Sequence, residues 1–221
     1  MAPARTQEQR RTQTRAKLLA ATTGCLVEHG YGGTTVGRVC TRAGLSSGGL
    51  FAHFDTKAAL VAAAAAEILA HARAEAAADF LDRPHTDPVG DAIAVAWRLY
   101  RRPDLRAVLE LFVVARTDPA LAANLDAVDA PHREELAGLL RRMLPERASH
   151  PAFDDLAELV LATLFGLALD VGTVRSAQLR EREVALLADL VRQHLDLDAG
   201  GGAAAAGEHE HGGRSDRRDR G

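Results

Sequence analysis

Aromatic residues make up only 4% of the 221 residues, and the cysteines number two, Cys25 and Cys40. Two thiols cannot build a disulfide framework, so a reduced, cytosolic compartment is the expectation. No apolar run reaches the roughly 20 residues that cross a bilayer. The richest stretch, Leu156 to Val174, is broken by Glu158, Gly166, Asp170 and Gly172. The N-terminus carries charges but no apolar segment followed by a cleavage site, so no secretion signal is expected. Runs of alternating β-branched residues are missing, and with them any reading as strand. The chain has no G-x-S-x-G, no P-loop, no G-x-G-x-x-G and no paired His/carboxylate arrangement. Its histidines are scattered singly without metal-ligand spacing; His209-Glu210-His211 reads as a solvated tail. The expectation is therefore no enzyme, no cofactor, no metal and no membrane.

What remains is helix and charge. The formal net charge of -3 is unevenly spread. Residues 1–57 hold eight Lys/Arg against three acids, a balance of +5; residues 58–199 hold 15 Arg against 23 acids, and the tail is neutral. A basic head on an acidic body suggests that the head meets a polyanion.

Periodicity predicts a first helix from about Gln7 to His29, stopped by Gly30. Thr35 caps a short second helix through Arg42. Ala43-Gly44-Leu45 makes a turn, and Ser46 caps a third helix over Ser47 to Phe54. A fourth helix, Lys57 to Leu81, is rich in strong helix formers. Asp82 to Pro88 divides the head from the body. Helices are then expected over Val89–Arg101, Asp104–Ala115, Pro119–Val128, Pro131–Met143, Phe153–Arg175 and Leu179–Leu195, with Pro131 opening its helix. The expected layout is a basic flexible arm at 1–11, a head unit with a connecting helix at 12–81, a helical unit at 82–198 and a disordered tail at 199–221.

Residues 35–54 carry the motif: two short helices joined at a glycine turn. Val36, Val39, Cys40, Ala43 and Leu45 form one apolar face, and Leu50, Phe51 and Phe54 the other. This is a helix-turn-helix pattern, whose second helix lies in the DNA major groove. Ser46 and Ser47 place hydroxyls at a helix N-terminus, which favours phosphate. Gly48 and Gly49 let backbone approach DNA, at a cost of roughly 0.5–1 kcal/mol each. Thr35, Arg38, Phe51, Ala52, His53 and Lys57 complete the candidate DNA-binding set. His53 is expected on the last turn of the recognition helix and Lys57 as a second phosphate contact, while Arg5 to Arg15 follows the backbone or enters the minor groove.

The chain resembles the TetR family of regulators. The resemblance rests on Leu18-Leu19-Ala20-Ala21, Glu28-His29-Gly30-Tyr31, Thr34-Thr35-Val36, Ala43-Gly44-Leu45-Ser46, Gly48-Gly49-Leu50-Phe51-Ala52-His53-Phe54, Lys57 and Leu60. It covers roughly residues 12–70. It implies an all-α fold: a three-helix DNA-binding domain with the helix-turn-helix, then a larger helical ligand-binding and dimerisation domain. It also implies a repressor on a pseudo-palindromic duplex operator, released by a small-molecule effector. Four positions depart from the family's habit, which has lysine at Ser47, threonine at Gly49, tyrosine at Phe51 and an acid at Arg38.

Within the acidic body, Trp97, Tyr100, Phe112 and Phe165 are candidates for lining the effector cavity that the resemblance implies, with Arg116 at its edge. Each is also an ordinary core or surface residue type. The last two helices carry more apolar positions than one small core needs. Leu156, Leu159, Val160, Thr163, Leu164, Leu167, Val171 and Val174 recur on one, and Val184, Leu187, Leu190, Val191 and Leu195 on the other. A four-helix dimer interface is expected there. Two rivals stand beside the repressor. One is an activator or effector-independent regulator of the same fold. The other is an interaction protein whose head has lost DNA binding, to which Ser47 and Phe51 lend weight.

Overall fold

A computed structural model describes residues 6–169 and 177–201, with side chains through Asp196. Residues 1–5, the stretch 170–176 holding Val171 and Val174, and the tail beyond 201 lie outside the described residues. The described chain is α-helical and contains no strand, as expected. Its helices are α1 (Gln7–Gly33), α2 (Val36–Ala43), α3 (Ser47–Phe51), α4 (Lys57–Leu81), α5 (Pro88–Tyr100), α6 (Pro103–Ala115), α7 (Pro119–Met143), α8 (Phe153–Leu169) and α9 (Ala177–Gly201).

Each helix start follows from a local residue. Thr6 opens α1 with a full capping box: its hydroxyl accepts from Gln9 N, and Gln9 Oε1 accepts from Thr6 N. Thr35, Ser46, Thr56, Asp87 and Asp118 each accept a first-turn amide with a side-chain oxygen. Pro88, Pro103 and Pro119 occupy first turns, where a missing N–H costs nothing. Gly30, at φ 63°, bends the chain out of α1 proper, and Gly44, at φ 67°, ends α2; both lie in the left-handed region that glycine enters freely.

Four sequence expectations need correcting. The basic arm is not an unstructured lead-in from residue 7 onward: Arg10, Arg11 and Arg15 already stand on α1. The third helix stops at Phe51, because Gly48 and Gly49 weaken it and the head core takes Phe54. His53 therefore sits in the following turn, not on the helix. Pro119–Val128 and Pro131–Met143 are one helix, α7, with Pro131 inside it. Both Pro131 and Ala127, whose carbonyl loses its donor, are exposed, so water can satisfy the gap. Leu121 and Leu125 before the proline pack into the same core as Leu139 and Met143 after it, which holds the two halves in line. Finally, a His/carboxylate pair does exist. His85 Nδ1 meets Asp91 at 2.7 Å, Nε2 meets the Phe80 carbonyl at 2.8 Å, and the ring stacks on Phe80 at 3.8 Å. It closes the α4–α5 connection.

Three apolar clusters organise the molecule. The head cluster joins Leu18, Cys25, Val39, Cys40, Leu50, Phe54 and Leu60. Both cysteines are buried and free. A central cluster runs along α4, α6 and α7 and includes Leu26 of α1. The third gathers α5, α8 and α9 around Trp97, Leu164 and Val191. Helix α4 belongs to the first two: Leu60 and Ala64 face the head, while Ala65, Ile68 and Ala72 face α7. Its alanines allow α7 to lie close, and that pair makes the most extensive contact between helices.

Candidate functional site

The helix-turn-helix is assembled from cap to cap. Thr35 Oγ1 accepts from Arg38 N, the Leu45 amide reaches back to the Cys40 carbonyl, and Ser46 Oγ accepts from Gly49 N. Val39, Cys40, Leu50 and Phe54 turn inward. That orientation leaves Thr35, Arg38, Ser46, Ser47, Gly48, Phe51 and Ala52 exposed, with Gly49 and His53 partly so. Phe51 is 48% exposed, an aromatic ring offered outward from a five-residue helix. A Cβ added at Gly48 would meet nothing within 4 Å, so backbone is bare there. The Arg15 guanidinium lies 4.6 Å over the Phe54 ring, bringing a cation of α1 to the edge of the motif.

Several of these residues are already engaged. Arg38 Nη1 donates to the Gly33 carbonyl at 2.5 Å and closes the α1–α2 link. Ser46 spends its hydroxyl on the cap. Lys57 differs most from expectation: its Nζ donates to the Tyr31 carbonyl at 2.8 Å and lies 3.9 Å over the Tyr31 ring. Helix α1 has no basic residue in its last turn. Lys57 supplies from α4 the cation that a helix C-terminus favours. Burial pushes its amine below the ordinary lysine value, against the pull of Asp118. The Tyr31 hydroxyl donates to Asp118 Oδ2 at 2.9 Å, and Asp118 also caps α7. Burial, then that bond, raises the phenol to about 12. Sequence reasoning missed this junction because Tyr31, Lys57 and Asp118 are far apart in the chain.

A cavity of about 540 Å³ lies between α4, α5, α6, α7 and α8. Of the five residues expected there, Tyr100, Phe112 and Phe165 line it. Trp97 does not; it is buried in the α5–α9 core and donates from Nε1 to Glu181 at 3.1 Å. Arg116 does not either, being exposed at the end of α6. The lining is mostly apolar, with Leu69, Ala72, Val95, Leu99 and Leu161 among it, and has a polar side formed by α7 and α8. There Arg133 pairs with Asp129 at 2.7 Å and Glu158 at 2.8 Å, Arg141 pairs with Asp154 at 2.7 Å, and Arg73 pairs with Glu135. His132 Nδ1 accepts from Arg73. Burial, and then the Arg73 charge, push the His132 ring down to about 4, so it is neutral near pH 7. Arg73 and His132 lay outside the sequence reading, since a lone Arg on an alanine helix looks solvated until α7 is placed against it.

The expected dimer residues divide into two groups. Val160, Leu164, Val184, Leu187 and Val191 are buried in the chain's own third core, as is Leu195. Leu156 and Leu167 are partly buried against the same core. Leu159 and Leu190 stay outside, 57% and 55% exposed, and Thr163 is half-buried. Leu186, which the sequence reading omitted, is 58% exposed. With Leu179 and Leu190 it makes a stripe at steps of seven and four along α9. Gly166 of α8 is exposed with open space at its Cβ position. Among the described residues no group of three metal-binding side chains occurs, and no helix is long and apolar enough to cross a membrane.

Comparison with known proteins bears on the whole chain. Residues 18–64, which hold the helix-turn-helix, match the family described as bacterial regulatory proteins, tetR family. The sequence is 32% identical over 195 residues to an HTH-type transcriptional regulator of Mycobacterium tuberculosis, covering 87% of this chain and 100% of that one. It is 30% identical over 184 residues to the HTH-type transcriptional regulator CymR of Pseudomonas putida, covering 81% and 87%. A solved TetR transcriptional regulator from Chloroflexus aurantiacus superposes with a TM-score of 0.62 at 25% identity, over 84% of this chain and 97% of that one. A capped helix-turn-helix with its outer face bare, set on a helical body and matched nearly end to end by such regulators, is not the plan of an enzyme: this chain belongs to the TetR family of DNA-binding transcriptional regulators.

Proposed function

We propose that this regulator is a repressor that binds a pseudo-palindromic duplex as a homodimer and leaves it when a small molecule enters the cavity between α4 and α8. The observation that carries this reading is the course of α4. One continuous helix starts against the motif at Lys57 and, 12 to 19 residues on, lines the cavity with Leu69, Ala72, Arg73 and Ala76. A ligand that displaces the later turns must displace the first one too, and with it the contact to Tyr31. Two heads positioned for successive major grooves would then no longer fit both.

The DNA face in this reading is the exposed surface of α2 and α3: Thr35, Arg38, Ser47, Gly48, Phe51 and Ala52. Basic residues of α1 add the electrostatic contribution. Lys57 acts behind this face, holding α4 against α1. The partner-facing surface is the stripe Leu179, Leu186 and Leu190 with Leu159 of α8.

Fluorescence anisotropy with a duplex taken from upstream of the protein's own gene tests the proposal. Two chains per site are expected, with affinity falling steeply as salt rises, at a log–log slope of about -0.9 per phosphate neutralised. Binding that is flat between low and physiological salt, or one chain per site, overturns it.

A further inference from the structure

The cavity's polar side limits what can occupy it. Three arginines border it, and each is paired. Arg133 holds Asp129 and Glu158, Arg141 holds Asp154, and Arg73 is held by Glu135. These pairs lie mostly on the exposed side of the cavity, so a charge carried past them into the apolar interior would have no counter-ion there, and an unpaired charge in apolar surroundings is costly.

Two polar groups on the lining are left over. Among the described residues, Tyr100 Oη makes no hydrogen bond, although burial holds its phenol up at about 12 and so keeps it protonated. His132 has only its Nδ1 engaged, as an acceptor from Arg73. In the neutral ring the proton then sits on Nε2, which has no partner among the described residues. Both are donors. The rest of the lining is aromatic or aliphatic, with Phe112, Phe153 and Phe165 among it. Flat rings pack well on such walls.

From this we infer that the cavity takes an uncharged, largely apolar ring compound bearing one hydrogen-bond acceptor, which Tyr100 Oη and His132 Nε2 meet. The inference rests on reading the cavity as the effector site. It adds the chemical class: neither a cation nor a carboxylate, but a ketone, ether or ester on an apolar frame.

Three naphthalenes of nearly equal shape test it on the full chain: 2-acetylnaphthalene, 2-naphthoate and 2-naphthylmethylammonium, titrated by calorimetry near pH 7. 2-Acetylnaphthalene is expected to bind at least about tenfold more tightly than either ion, a factor set by the cost of an unpaired charge. Tyr100→Phe is expected to weaken it about fivefold, the worth of one hydrogen bond. The same variant should leave 2-ethylnaphthalene, which has no acceptor, unchanged, which also shows that the variant is folded. Equal or tighter binding of naphthoate or the ammonium, equal loss of both neutral probes in Tyr100→Phe, or no binding of 2-acetylnaphthalene overturns the inference. Release of operator DNA is read separately. If 2-acetylnaphthalene binds as expected while the DNA stays bound, the ligand class stands and the effector-release reading fails.

Discussion

At the scale of single residues, Lys57 shows how a side chain's partner changes its meaning. A lysine at the start of the helix after a recognition helix reads as a phosphate contact. Here its amine belongs to the end of α1 and to the Tyr31 ring. Lys57→Ala is therefore expected to lower the stability of the DNA-free protein by about 1 kcal/mol, the worth of a hydrogen bond to a charged group discounted for solvent screening at a partly exposed site. Urea unfolding without DNA checks this. Unchanged stability with weakened DNA binding would return Lys57 to the phosphates. His132 gives a second prediction, from the depression of its ring below the ordinary value of 6.5 to about 4. Between those values the unfolded chain takes up a proton that the folded chain refuses, so acid favours unfolding. The stabilising effect is complete above pH 6.5 and is lost as pH falls toward 4. His132→Gln should flatten the fall in melting temperature across that window. An equally steep fall in the variant would show that other groups carry it.

At the scale of elements, α7 is where local rules and packing disagree. A proline at position 131 costs an interior helix about 3 kcal/mol relative to alanine, yet the helix continues because its two ends share one core. Pro131→Ala is expected to raise stability by about 1–3 kcal/mol, measured as a higher urea midpoint at unchanged slope. A loss of stability would show that the proline shapes the helix rather than straining it. The same contest explains what could be read from the sequence. Caps are local chemistry, so Thr35, Ser46 and Gly44 marked the helix-turn-helix correctly, and α4 was legible from its helix-forming composition with an end near Leu81. The end of α3 was not, since it depends on Phe54 being drawn into a core made by distant residues. For the cavity, three aromatic walls were anticipated. The neutral His132 and the paired arginines were not, because their partners come from other helices. Periodicity on α8 and α9 revealed apolar faces but could not say which face the chain itself would use.

At the scale of the whole molecule, that last distinction decides how assembly should be probed. Leu164 is fully buried, so a charge there should unfold the body rather than separate a pair of folded chains. The double variant Leu186→Glu with Leu190→Glu changes two exposed positions. It is expected to give a folded monomer by light scattering, with helical circular dichroism retained and operator affinity lost. A double variant that remains a dimer would exclude the α9 stripe as the interface. A further consequence lies in Leu26. It sits on α1, yet it packs in the central cluster with Leu105, Val108 and Leu111 of α6, and α1 and α6 are in broad contact. Heads of DNA-binding proteins are attractive modules for transplantation, carried from one sensor to another to rewire a circuit. In this protein the seam does not fall at the end of the motif or at the loop after α4. A graft that moves residues 6–56 alone carries half of a packed surface and leaves the other half behind on α6. A working hybrid has to bring the matching face of α6 with it, so the transplantable module is discontinuous in sequence even though the motif that reads DNA is not.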